Sequence, residues 1–249
     1  MSIANAPATI ASMKDLNADF LEETLESDSR GEMFEVVSKR FLRIDVEDFL
    51  WAKLGSVIAF HGDFKMTRER VLRAKRGNLA REFAPLVKVE GKGRLYCADE
   101  GKRSKILRLA DGTLNVVGSA LLAFESTIQH EANLIPVLGL LAGGIFAFKL
   151  SGTGVVVIGA KGDPLTLRVT PDNPVVTDPD ATLAWSGGLT PELKTELEWR
   201  TIIGHGGGEA IQMLFRGDGY VVIHAKEDDP TKRGLYGQLK SMVKRFTPF

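Results

Sequence analysis

A block that recurs three times constrains this chain more than any other feature. Its middle copy reads Gly152-Thr153-Gly154, Val155-Val156-Val157-Ile158, Leu167-Arg168-Val169, Val175-Val176 and Leu183-Ala184-Trp185. The apolar run bounded by Gly152, Gly154 and Gly159 reads as a buried strand, while Leu165, Leu167 and Val169, alternating with Thr166 and Arg168, read as a half-exposed one. Lys161-Gly162-Asp163-Pro164 supplies the turn between them, and Pro171-Asp172-Asn173-Pro174 must end the second strand, because proline cannot continue a ladder.

Upstream, Gly91-Lys92-Gly93 leads into Leu95-Tyr96-Cys97-Ala98; downstream, Gly217-Asp218-Gly219 leads into Tyr220-Val221-Val222-Ile223. Leu42-Arg43-Ile44 and Leu107-Arg108-Leu109 echo Leu167-Arg168-Val169. Val57-Ile58-Ala59-Phe60 and Leu121-Leu122-Ala123-Phe124 echo Thr182-Leu183-Ala184-Trp185. Corresponding blocks lie 60 to 65 residues apart, in one order. Such self-similarity predicts three copies of one β unit, with Phe60, Phe124 and Trp185 as equivalent buried aromatics.

Thirty-two basic residues balance thirty-two acidic ones, so no global field draws the chain to nucleic acid or to an anionic membrane. Any such affinity must come from a local patch. The lone cysteine, Cys97, rules out an internal disulfide and suits a reducing compartment; in a predicted buried strand it is expected to be inert. Met1 to Ile10 lacks the basic start of a secretory signal, and the acidic stretch to Glu35 is unlike a transit peptide, so the expected location is the cytoplasm. The longest apolar run, Leu134 to Phe148, is broken by Pro136, Gly139, Gly143 and Gly144; it reads as a loop entering a buried strand and not as a membrane span.

Three regions follow. Residues 1–33 form an acidic N-terminal extension in which Met13, Leu16, Phe20 and Leu21 predict a short helix. Residues 34–227 form the repeat domain, and residues 228–249 an amphipathic basic C-terminal tail. In that tail Leu235, Leu239, Met242, Val243 and Phe246 share one face of a predicted helix, a candidate surface for a protein partner or for peripheral membrane contact. Leu189, Leu193 and Leu197 suggest a helical turn or two within Pro191 to Trp199. The one dense basic cluster is Lys65, Arg68, Arg70, Arg73, Lys75 and Arg76. It is expected to be an exposed excursion and a candidate anion-binding site, since six neighbouring cations cannot be desolvated without partners.

Catalytic signals are weak. His205-Gly206-Gly207-Gly208 spells an oxyanion-hole motif, but no Gly-x-Ser-x-Gly elbow accompanies it, and a glycine loop between strands is the better reading. Gly154 to Lys161 lacks the Ser or Thr of a phosphate loop. His61, His130, His205 and His224 are scattered without metal-ligand spacing and read as solvent or turn residues. Arg43, Arg108 and Arg168 occupy equivalent places and are expected to be outward residues of alternating strands, the alternative being a ring of ligand-binding cations.

The blocks Gly55 to Phe60, Phe148 to Val155, and Leu183-Ala184-Trp185 with Gly187-Gly188 resemble the family called altered inheritance of mitochondria protein 24, over about Phe34 to Glu227. The resemblance implies an all-β fold similar to the tryptophan RNA-binding attenuation protein, with three pseudo-symmetric, β-sandwich-like repeats packed as a triangular prism. It also implies occurrence in bacteria and in mitochondria, where the family is linked to inner-membrane organisation. It brings no catalytic residue, cofactor or metal. The chain departs from the family in its basic insertion and acidic extension. The expectation is a non-enzymatic cytoplasmic interaction or scaffold protein with an unknown protein partner, able to form homo-oligomers. The alternative is a nucleic-acid or anionic-ligand binder using Lys65 to Arg76, with nucleic acid the less favoured ligand.

Overall fold

The computed structural model describes residues 20, 23–26, 30–69, 86–136, 144–195 and 211–225. Over these the chain is all-β. Its strands are β1 (Phe34–Ser38), β2 (Phe41–Val46), β3 (Phe49–Lys53), β4 (Val57–Arg68), β5 (Leu86–Cys97), β6 (Arg103–Val117), β7 (Leu121–Glu125) and β8 (Gln129–Pro136). They continue with β9 (Gly144–Ala160), β10 (Leu165–Val169), β11 (Val175–Thr177), β12 (Thr182–Ser186), β13 (Glu192–Thr195), β14 (Ile211–Phe215) and β15 (Gly219–Ile223).

All pairings are antiparallel. One large sheet runs β1-β2-β5-β3-β7-β9-β6-β12-β15-β10, with β4 added on β5 and β8 on β9; a second holds β11-β14-β13.

The Gly-x-Gly motifs mark where a long strand changes partner. β5 bonds to β3 through Leu86–Glu90 and to β2 through Gly93–Cys97. β9 bonds to β8 up to Ser151 and to β7 from Val156. A strand leaving one ladder for another must bend, and Gly91, Gly93, Gly152 and Gly154 do so at φ of 145°, 146°, 122° and 155°, where a side chain is strained. A Cβ on Gly154 would stand 2.5 Å from both Glu125 Oε2 and Thr127 Oγ1.

The registers on either side agree closely. Phe60, Phe124 and Trp185 lie opposite Leu95, Val156 and Val221, each two residues after the second glycine of its motif. Leu50, Leu114 and Val175 lie opposite Val89, Leu150 and Phe215, each two residues before the first glycine.

Three apolar clusters fill the interior. One holds Leu42, Ile44, Leu50, Val89 and Leu95; a second Phe124, Phe148, Leu150 and Val156; a third Val169, Trp185, Met213, Phe215 and Val221. Each buried Leu, Ile or Phe adds about 1.5–3 kcal/mol relative to an exposed one.

Several expectations are corrected. Phe124 and Trp185 are buried, but Phe60 is 51% exposed, because β4 has β5 on one side and no strand of the described residues on the other. Arg43 does not point to solvent: it is 1% exposed, held between Glu35 of β1 and Glu26. Within Pro191 to Trp199 the described residues form strand β13 and not a helix, because Glu192–Thr195 pairs with β14. Spacing of four among Leu189 and Leu193 serves the third cluster equally well from an extended chain. Of Leu134 to Phe148, the residues up to Pro136 continue β8, and β9 starts at Gly144. Met13, Leu16 and Leu21 of the expected N-terminal helix, and the C-terminal tail, lie outside the described residues.

Candidate functional site

Three tight turns converge at one end of the molecule. The first joins β1 to β2 and ends at Arg40; the second, Ala98 to Lys102, joins β5 to β6; the third, Lys161 to Asp163, follows β9. Glu100, Gly101 and Gly162 take φ of 45°, 71° and 72°, reversing the chain within a few residues. Arg40, Glu100, Gly101, Lys102, Arg103, Lys161 and Gly162 line a cleft of about 200 Å³. Ligand pockets usually span roughly 300–1,000 Å³, so this one suits a small anion at most.

Ion pairs and backbone bonds tie the turns together. Ser104 N donates to Lys39 O at 3.0 Å, fixing the first turn to β6. Arg103 Nη1 and Lys105 Nζ donate to the two carboxylate oxygens of Asp163 at 2.6 and 2.9 Å, fixing β6 to the third turn. The hydrogen bonds from Lys105 and Arg103 hold the Asp163 carboxyl below its ordinary value. The backbone N–H of Lys161 donates to His224 Nδ1 at 2.9 Å. Lys102 and Lys53 both donate to Asp99 Oδ2, at 2.6 and 2.8 Å. Burial acts to raise the Asp99 carboxyl, but the bonds from the two lysines outweigh it and hold the group low. Within the cleft this leaves Arg40 and Lys161 as the cations without an ion-pair partner among the described residues.

The sequence-derived site residues are dispersed. Lys65 and Arg68 lie exposed on β4, opposite Glu90 and Val87, so Lys65 already faces an acid. Arg70, Arg73, Lys75 and Arg76, the glycine loop at His205, and Leu235, Leu239, Met242, Val243 and Phe246 lie outside the described residues. Arg43, Arg108 and Arg168 form no ring: Arg43 is buried, Arg108 pairs with Glu32 at 2.7 Å on the surface, and Arg168 is exposed.

Two arrangements escaped the sequence reading. His130 was expected in solvent or in a turn, yet Nε2 lies 2.7 Å from Glu69 Oε2, and its ring sits 4.7 Å from Trp51 and 5.3 Å from Phe124. Sixty-one residues separate the histidine from its carboxylate, and no local spacing signals them. The acidic extension is partly docked as well: Glu26 accepts from Arg43 Nη1 at 2.6 Å and from the Tyr96 hydroxyl at 2.5 Å. Cys97 is fully buried beside Ser56, and desolvation pushes its thiol up to about 12. Among the described residues no three His, Cys, Asp or Glu side chains are grouped to hold a metal, and no helix is long and apolar enough to cross a membrane.

Antiparallel strands that bend at paired glycines, with a small cationic cleft where three turns meet, define the class as an all-β protein. The model of the mitochondrial biogenesis AIM24 family matches residues 34–226, and the chain belongs to that family. No curated protein matches it. Among solved structures it is similar to protein SPYM3_0169 from Streptococcus pyogenes, with a TM-score of 0.59 and 18% identity, covering 86% of this chain and 98% of that one. At that identity the likeness concerns the fold alone.

Proposed function

We propose that this chain is a non-enzymatic interaction or scaffold protein of the cytoplasm, built from three copies of one β unit arranged as a triangular prism. The repeat is supported by the shared registers of Phe60, Phe124 and Trp185 about their glycine motifs. The observation that carries the interaction reading is β4. This twelve-residue strand is bonded on one side only among the described residues and exposes Ile58, Phe60 and Met66. An unprotected strand edge with apolar side chains is a template for pairing with another chain. A buried lone cysteine accords with a reducing compartment.

Crosslinked capture from the native cell tests the reading, comparing the wild type with a variant carrying Ile58→Lys and Met66→Lys. The variant should lose the captured species while keeping its circular dichroism. An unchanged set of captured species would remove β4 from the interaction surface.

A second reading, binding of a small anion, draws on Arg40 and Lys161 in the end cleft more than on the Lys65 to Arg76 segment. Titration with inorganic phosphate at two ionic strengths tests it; absence of heat at the lower one rejects it.

A further inference from the structure

The end cleft carries positive charge that its own acids do not offset. Lys53 and Lys102 share Asp99, and Arg103 and Lys105 share Asp163, so each of these acids leaves one cation in excess. Arg40 and Lys161 line the cleft as well, with no ion-pair partner among the described residues. Over the whole chain thirty-two basic residues balance thirty-two acidic ones, so the surplus is local.

One acid stands among these cations. Glu100 lines the same cleft as Arg40, Lys102, Arg103 and Lys161, yet among the described residues it forms an ion pair with none of them. Opposite charges that face one space without closing on each other leave room between them for a third group. Nothing stands within 4 Å of where a Cβ of Gly101 or Gly162 would be, so the cleft is open at both glycines. A fully deprotonated anion entering here meets Glu100 as a repulsion. An anion that keeps an O–H meets it as an acceptor, and a hydrogen bond to an ionised carboxylate is among the stronger kinds.

These two requirements, negative charge and one O–H, separate phosphate from sulfate. Near neutral pH inorganic phosphate retains a proton, whereas sulfate has shed both of its own. A phosphate monoester loses its second proton at about pH 6, so above that it resembles sulfate. Resting on the small-anion reading of this cleft, we propose that it is a site for inorganic hydrogen phosphate, with Arg40 and Lys161 meeting the charged oxygens and Glu100 accepting from the P–O–H group. Arg40 offers a planar fork that fits two oxygens, and Lys161 a point charge. Glu100 is then the residue that sets specificity.

Calorimetric titration of the full chain, slightly above neutral pH and at fixed ionic strength, compares sodium phosphate, sodium sulfate and methyl phosphate. Wild type should bind phosphate about tenfold more tightly than the other two. Glu100→Gln keeps the shape and removes the charge, and should erase that preference by strengthening sulfate. Arg40→Gln combined with Lys161→Gln should lose every anion while circular dichroism stays unchanged. Equal affinity of wild type for phosphate and sulfate overturns the proposal and leaves the small-anion reading in place, as does a preference for phosphate that survives Glu100→Gln. Absence of heat from all three anions, or binding that survives the paired Arg40→Gln and Lys161→Gln changes, removes the cleft as an anion site and takes both readings with it.

Discussion

Arg43 on β2 lies directly opposite Glu35 on β1, and its Nη2 donates to the Glu35 carboxylate where both side chains are out of water. Glu26, from the segment ahead of the first strand, takes the other arm of the guanidinium at 2.6 Å. A buried ion pair adds little net stability over an apolar pair of the same shape, but removing one partner strands a charge. Arg43→Ala should therefore destabilise the fold by about 3–5 kcal/mol, whereas Arg43→Met combined with Glu35→Leu should recover most of the loss. Urea unfolding of the two variants checks this, and equal loss in both contradicts it.

Asp99 governs the acid limit of stability. Its carboxyl is held below its ordinary value of 3.8 by Lys102 and Lys53 against the opposing effect of burial. A group whose folded value is depressed stabilises fully above its unfolded value and loses that contribution as pH falls through the folded one. Stability should thus fall from about pH 4 downward, and Asp99→Asn should flatten that slope. Melting temperatures of both proteins across the acid range provide the measurement; parallel curves would remove Asp99 from the account.

Gly154 should tolerate no side chain. At φ of 155°, with Glu125 Oε2 and Thr127 Oγ1 each 2.5 Å from a Cβ, Gly154→Ala meets both strain and a clash. The Glu125 carboxylate that accepts from Val155 N at 2.7 Å would have to move. A cost of about 1–3 kcal/mol is expected, against a few tenths for Gly188→Ala, where nothing stands within 4 Å. Comparable melting temperatures for the two variants would sink the argument.

Trp185 and Phe60 should part company in the isolated chain. Trp185 is buried against Phe215, with ring centroids 5.6 Å apart, and donates Nε1–H to Leu189 O at 3.1 Å. Trp185→Ala should cost about 3–5 kcal/mol. Phe60→Ala, measured under conditions where the protein is a single chain, should stay within about 0.5 kcal/mol of wild type. A large loss at Phe60 in such a sample would mean that β4 is covered by its own chain.

The all-β class and the strands that follow the Gly-x-Gly motifs were legible because each rests on neighbours in sequence, whereas the bends at those glycines were not. The strand Leu165 to Val169, the apolar run Val155 to Ile158 and the turn at Pro171 to Pro174 all survive in the fold, although Leu165 at the strand's start is exposed and breaks the expected alternation. Burial of Cys97, Phe124 and Trp185 was legible for the same reason. The candidate cleft was not, since Arg40, Lys102 and Lys161 come from turns about sixty residues apart.

What the sequence determined by itself, then, is the local β unit: a period of two fixes which residues share a face, and Gly-x-Gly fixes where a strand can bend. The tertiary structure alone decided which equivalent positions are equivalent in environment. Arg43, Arg108 and Arg168 share a motif, yet only Arg43 is enclosed, because β1 and Glu26 lie over it. Phe124 and Phe60 share a register, yet only Phe124 is buried, because β3 closes over β7 and no described strand closes over β4. Burial depends on what arrives from elsewhere in the chain, and a strand's own residues carry no record of it.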